Sequence, residues 1–134
     1  MRLEAKQARL QISNRGPVLS VQVTGLVTVR TIDQIRMHLA PMAAKAGALW
    51  VDYTRSVVVV SDLELCGLVA PIATGIKPIP MAWAVSDTGI AELWQRQVLR
   101  LALVGQRRFV SCGLDGAAEW AQAQARLSLQ DRPR

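Results

Sequence analysis

Apolar and polar positions alternate through the start of the chain. Ala8, Leu10 and Ile12 recur at every second residue, with Arg9 and Gln11 between them. Asn14-Arg15-Gly16-Pro17 gathers turn-forming residues. Val18 to Thr24 then alternates again as Val-Leu-Ser-Val-Gln-Val-Thr. Two period-two runs, 5–12 and 18–24, across a short glycine-containing loop predict an antiparallel hairpin with one buried face.

The period lengthens after residue 30. Thr31-Ile32-Asp33-Gln34 has the capping-box form, in which the threonine hydroxyl accepts from the N–H of Gln34. Ile32, Ile35, Leu39, Met42, Ala43 and Ala46 follow at helical spacing, and Gly47 supplies a stop. Pro41 falls on the opposite, solvent side of that helix. Ala48 to Tyr53 reads as a buried strand, and Val57 to Val60 either extends it or forms another. Ser61-Asp62-Leu63-Glu64 is a second capping box, predicting a helix through Cys66, Leu68 and Val69 toward Ala73. Thr74 to Pro80 reads as a loop, and Met81 to Val85 as a further buried strand. Ser86-Asp87-Thr88-Gly89 opens a helix over 90–105, with Ile90, Leu93, Trp94, Val98, Leu101 and Val104 on one stripe. Arg107 to Ser111 is the last strand. Asp115 caps a last helix with Ala117, Trp120, Ala121 and Leu127 inward, and 128–134 is a frayed tail.

The order β-β-α-β-(β)-α-β-α-β-α predicts an α/β domain occupying 1–134. It is a single mixed sheet of about four to six strands, antiparallel in the N-terminal hairpin and parallel later, with helices packed on it. The chain has 134 residues, 51% hydrophobic and 19% charged, which excludes disordered, collagen-like and disulfide-scaffold classes.

Lys and Arg total 16 against 10 acidic residues, a net charge of +6 that favours encounters with anionic partners. No basic run is longer than two and no aromatics interleave it, so no nucleic-acid partner is expected. The two cysteines, Cys66 and Cys112, make no disulfide framework. The opening Met1-Arg2-Leu3-Glu4 has no apolar leader character, and the apolar stretch from Val57 to Ile76 is broken by Asp62 and Glu64. The expectation is a cytoplasmic protein with reduced thiols and no transmembrane segment.

Candidate chemistry is sparse. His38 is the sole histidine, which excludes a histidine-rich metal site, and a catalytic triad or zinc site would need partners fixed around it; a surface position is the expectation. Asp52, Asp62, Glu64 and Asp87 could form a polar crevice at the strand ends, although acids at helix starts are equally explained by stabilising the helix N-terminus. Cys112 precedes a helix start but has no identifiable base. Gly75-Ile76-Lys77 lacks the glycine-lysine pair of a phosphate loop. No catalytic, metal or cofactor site is expected, and the chain reads as a non-enzyme. Leu99 and Leu103 lie one turn apart, on the side of their helix away from Trp94 and beside Arg96 and Arg100. A helix apolar nearly all round must be covered by a neighbouring element or another chain, so these four residues mark an expected homodimer interface.

Three stretches carry a family likeness: Val21-Gln22-Val23-Thr24-Gly25-Leu26-Val27-Thr28 leading into a helix, Leu49-Trp50-Val51-Asp52-Tyr53, and the strand–helix units from Met81 and from Phe109 to Trp120. Over residues 18–127 the chain resembles the SpoIIAA-like, or STAS-like, superfamily. That group holds anti-sigma-factor antagonists, domains of sulfate transporters and many uncharacterised bacterial single-domain proteins, and the likeness is strongest to the last branch. The resemblance implies a regulatory, protein-binding module. Regulatory members carry an Asp-Ser-Ser-Gly-Leu-like motif whose serine is phosphorylated to break partner binding. The matching stretch is Glu64-Leu65-Cys66-Gly67-Leu68, which puts Cys66 at the serine's place and removes the acceptor. Ser61, with Ser56 and Thr54, is a neighbouring hydroxyl that could substitute, and caps and turns account for these residues equally well. A second functional reading is a small-molecule or lipid-binding domain, implied by the fold's kinship with lipid carriers. Its apolar pocket would be lined by Val69, Ile72, Ile76, Ile79 and Met81.

Overall fold

The computed structural model describes residues 2–5, 8–43, 45–58, 79–101 and 107–130. Strands β1 (Arg2–Ala5), β2 (Ala8–Arg15) and β3 (Val18–Val27) lead into helix α1 (Val29–Ala43) and strand β4 (Ala48–Val58). Strand β5 (Met81–Val85), helix α2 (Thr88–Leu101), strand β6 (Arg108–Cys112) and helix α3 (Leu114–Gln130) follow. The six strands form one sheet in the order β1-β2-β3-β4-β5-β6. Pairs β1/β2 and β2/β3 are antiparallel, and β3/β4, β4/β5 and β5/β6 are parallel. The mixed sheet with an antiparallel start is the one the alternation predicted, with β1 as an additional strand on its edge.

The hairpin turn is tighter than the turn cluster implied. Asn14 and Arg15 still pair with β3, and only Gly16 and Pro17 turn the chain. Gly16 has φ +59°, the left-handed value a two-residue hairpin needs and a side chain resists. The Pro17 carbonyl then accepts from Gly47 N at 2.6 Å and Ala48 N at 3.2 Å, tying the turn to the start of β4. Gly47 therefore serves a close approach: a Cβ there would lie 3.4 Å from Pro17 Cβ and 3.5 Å from Ala125 Cα.

Strand periodicity sorts side chains between two unequal layers. Leu10, Ile12, Leu19, Val21, Val23, Leu49, Val51, Tyr53, Met81, Trp83 and Val85 face the main core. Helix α1 packs Ile32, Ile35, Leu39 and Ala43 onto them, and α2 packs Ala91, Trp94 and Val98. Tyr53 and Trp94 meet edge to face with ring centroids 5.7 Å apart. On the second face Ala48, Ala82 and Ala84 meet Ala117, Ala121 and Ala125 of α3. Alanines four apart on one helix face, set against alanines on the sheet, let helix and sheet approach closely. β5 is covered on both sides, which is why its five residues are all buried and its sequence runs without alternation.

The helix ends and faces depart from the sequence pattern at several points. The N-cap of α1 is Thr28. Its carbonyl accepts the first helical bond from Ile32 N at 3.2 Å, and Thr31 Oγ1 accepts from Thr28 N at 3.1 Å. Thr31 is thus the third helical residue reaching back, not the cap. Asp87 caps α2 as expected: its Oδ1 accepts from Ile90 N at 2.9 Å. The α2 stripe is rotated, however, burying Ala91, Trp94 and Val98 while Ile90 is 40% exposed. In α3, Asp115 sits in the first turn rather than at the cap, and Ala125 takes the inward place given to Leu127, which is 43% exposed. Residues 128–130, assigned to the tail, continue α3. Pro41 is exposed inside α1, as its position predicted.

Candidate interaction surface

α3 covers the second sheet face over β4, β5 and β6 and reaches the start of β3, where Val18 packs against the cluster of Ala48, Ala121 and Ala125. Over β2 and β3 the outward residues are Arg9, Gln11, Ser13, Ser20, Gln22 and Thr24, and a groove lies between them and α3. Its main cavity, about 690 Å³, is bounded by Gln11, Ser13, Ser20 and Gln22 on the sheet and by Leu114, Gln122 and Arg126 on α3, with Trp50 between. Trp50 is half-buried and, like Trp120, packs against the alanines under α3, where Trp120 stacks on Phe109 at 5.6 Å. Gln11 and Gln22 are register partners and also line a second cavity with Arg9, Thr24 and Arg55, so the groove continues along the hairpin.

Arg55 reaches this groove because β4 carries a bulge. Gln22 is opposite Asp52, but Thr24 is opposite Arg55, so Tyr53 and Thr54 together face Val23. The extra residue reverses the alternation. Arg55 would otherwise follow Leu49, Val51 and Tyr53 into the main core, and instead it joins Gln22 and Thr24. Asp52 holds the bulge. Its carboxylate accepts from Thr54 N at 2.8 Å and from Thr54 Oγ1 at 2.6 Å, and the residue is 3% exposed. The backbone donor freed by the bulge is thereby satisfied. Asp52 therefore does not end a strand at a crevice, as the apolar run alone implies: the strand runs on to Val58 and the carboxylate is a bulge clamp.

At the carboxyl ends of β5 and β6, Cys112 is exposed, with its thiol donating to Ser86 O at 3.6 Å and 3.7 Å from Thr88 Oγ1. Ser111 Oγ donates to Gly113 O at 2.7 Å in the turn into α3, where Gly113 has φ +92°. His38 is exposed on α1. Among the described residues no three of His, Cys, Asp and Glu cluster as metal ligands would.

Cys66, Ser61 and Leu103 lie outside the described residues, as do Val69, Ile72 and Ile76. Leu99 and Arg100 lie on α2, with their side chains outside the described atoms. Arg96 is exposed on α2 beside a shallow depression lined by Thr88, Glu92, Gln95 and Val110. Ile79 and Met81 are 5% and 0% exposed and belong to the main core.

Two arrangements had no sequence signal. Arg108 is 7% exposed on the core face, its Nη1 donating to Ile79 O at 2.9 Å and Arg107 O at 2.8 Å. Burial lowers its pKa from the ordinary arginine value. Gln95 Oε1 accepts from Val110 N at 2.7 Å. Arg107 O and Gly113 N bond β5, so the backbone groups of odd residues in β6 point to the sheet and those of Val110 point out along its edge, while the Val110 side chain lies in the main core. The groove residues did have a signal, the polar half of the hairpin alternation, but their neighbour α3 is distant in sequence.

Comparison with protein-family models and with curated protein sequences gives no match. Among solved structures, the unphosphorylated form of the anti-sigma factor antagonist SpoIIAA superposes with a TM-score of 0.58 at 11% identity. The match covers 85% of this chain and 96% of that one. The fold is SpoIIAA-like. At that identity the relation to SpoIIAA is one of architecture, and it agrees with the likeness read from the strand and helix patterns. Among the described residues no helix is long and apolar enough to cross a membrane.

Proposed function

We propose that this chain is a non-enzymatic, SpoIIAA/STAS-like regulatory module that works through protein–protein contacts. The observation that carries the reading is the shared architecture with SpoIIAA across nearly the whole of both chains. That protein is an anti-sigma factor antagonist, solved in its unphosphorylated form. The polar, partly uncovered second sheet face supports the same reading, because it leaves a groove open beside α3. Homodimerisation through Leu99, Leu103, Arg96 and Arg100 and residence in the cytoplasm complete the proposal. Any switch in the segment holding Ser61 and Cys66 would have to use a hydroxyl other than the residue at position 66.

The test is reconstitution. Proteins that co-purify with the full chain from its native cells are expressed separately, mixed with it and titrated calorimetrically. A saturable complex of fixed stoichiometry with at least one of them is expected. If every reconstituted candidate fails to bind, the module reading is wrong.

A further inference from the structure

We propose that the groove between α3 and the uncovered β2–β3 half of the sheet is the docking site for an acidic, extended segment of a partner protein. This rests on the reading of the chain as a protein-binding module and names the kind of partner that one surface takes.

Charge argues for the occupant. Arg55 lines the hairpin end of the groove beside Arg9, and Arg126 lines the α3 wall, while among the described residues no acidic residue lines either of its two cavities. The chain as a whole carries +6. A second copy seated on this face would bring arginines against arginines, and that like-charge contact opposes self-association there. An anionic partner is attracted by both the local and the overall field.

Shape and hydrogen-bonding capacity argue for an extended peptide. The floor is a pleated strand pair whose outward residues recur every second position, the repeat of an extended chain laid beside it. Gln11, Gln22 and Gln122 are exposed, and none of their side chains is engaged in a hydrogen bond among the described residues. Each amide can both donate and accept, as peptide N–H and C=O groups require. Arg55 and Arg126 are exposed and likewise free of ion pairs among the described residues. Single-stranded nucleic acid fits less well. It needs aromatic faces for successive bases, and Trp50, the one aromatic residue lining the groove among the described residues, is half-buried against the alanines under α3.

The test uses the full chain and fluorescence anisotropy. The probes are a labelled peptide alternating glutamate and serine, its glutamine-for-glutamate counterpart, and an oligothymidine of equal length. The acidic peptide is expected to bind saturably and more tightly than either of the others. Arg55→Glu with Arg126→Glu should weaken it by about tenfold or more, since loss of two charge contacts of ordinary strength gives at least that factor. Gln22→Ala should weaken it by roughly twofold to fivefold through a lost neutral hydrogen bond. Arg30→Glu, on α1 in the opposite layer, should leave it within about twofold, because an exposed charge on the far side is screened. Circular dichroism of each variant must match the wild type; should the double reversal not fold, Arg55→Gln with Arg126→Gln gives the same comparison.

Absence of saturable binding by the acidic peptide overturns the proposal. So does an equal loss from Arg30→Glu, which would mean diffuse attraction, or tighter binding of the oligothymidine. Each of these leaves the module reading to its own reconstitution test, so the two can fail separately.

Discussion

Tyr53 makes a sharp prediction because it is the only tyrosine in the chain. Its side chain is 1% exposed in the main core, and its buried hydroxyl has no hydrogen-bond partner among the described residues. Burial disfavours the phenolate and pushes the pKa far above the ordinary value of 10.0. The perturbation is alkali. A group whose folded pKa is raised contributes stability that is complete below its unfolded pKa and is lost as pH rises toward the folded value. The loss therefore begins near 10 and grows by about 1.4 kcal/mol per further pH unit. One unit above 10 this amounts to about 1.4 kcal/mol, or roughly 4–5 °C in Tm for a domain of this size. The assay is tyrosinate absorbance in the near ultraviolet, recorded with tryptophan fluorescence through the same titration. Absorbance should stay flat through the ordinary phenol range and rise only together with the fluorescence change of unfolding. Tyr53→Phe removes the hydroxyl alone, so its stability at neutral pH should equal or slightly exceed the wild type's. Its alkaline decline should be shallower by the same about 1.4 kcal/mol per unit. A phenolate that forms near 10 while the fluorescence remains native would refute the argument, since the hydroxyl would then be in contact with water.

Three further outcomes follow from the packing. Asp52→Ala should destabilise the fold by about 2–4 kcal/mol in urea titration, because two hydrogen bonds to a charged acceptor are lost and the bulge N–H is left unpaired; Asp52→Asn, which keeps an acceptor, should cost about half as much, and equal costs would show that the carboxylate does not hold the bulge. Gln95→Ala should cost about 1 kcal/mol and raise light scattering with concentration, because the outward N–H of Val110 on the β6 edge loses its cover and offers a place for another chain; scattering identical to the wild type's would rule out that role. Light scattering on eluting wild-type protein should give a dimer, and Leu99→Asp with Leu103→Asp a folded monomer, since aspartates cannot be desolvated at such a contact without partners; a double mutant that stays dimeric moves the interface elsewhere, and a monomeric wild type removes it.

Local pattern was enough for most of the architecture. The period-two runs of β2 and β3, the unbroken apolar run of β5 and the helical spacing of Ile32, Ile35 and Leu39 each express a demand that one stretch of chain makes on its own surroundings. The cap at Asp87 is equally local, a carboxylate meeting an N–H three residues on. What the sequence could not decide was how segments far apart in the chain would meet. Whether Ala125 or Leu127 turns inward depends on how closely α3 approaches Ala48, and Ile90 gives way to Ala91 because the β5–β6 surface meets α2 at a particular rotation. Arg55 shows the limit most plainly. Simple alternation sends it into the core, and only the pairing of β4 with β3, where Tyr53 and Thr54 share one partner, turns it out into the groove. Alternation is a property of one strand, whereas a bulge is a mismatch between two, so its position becomes defined only when the register of both strands is set by their packing.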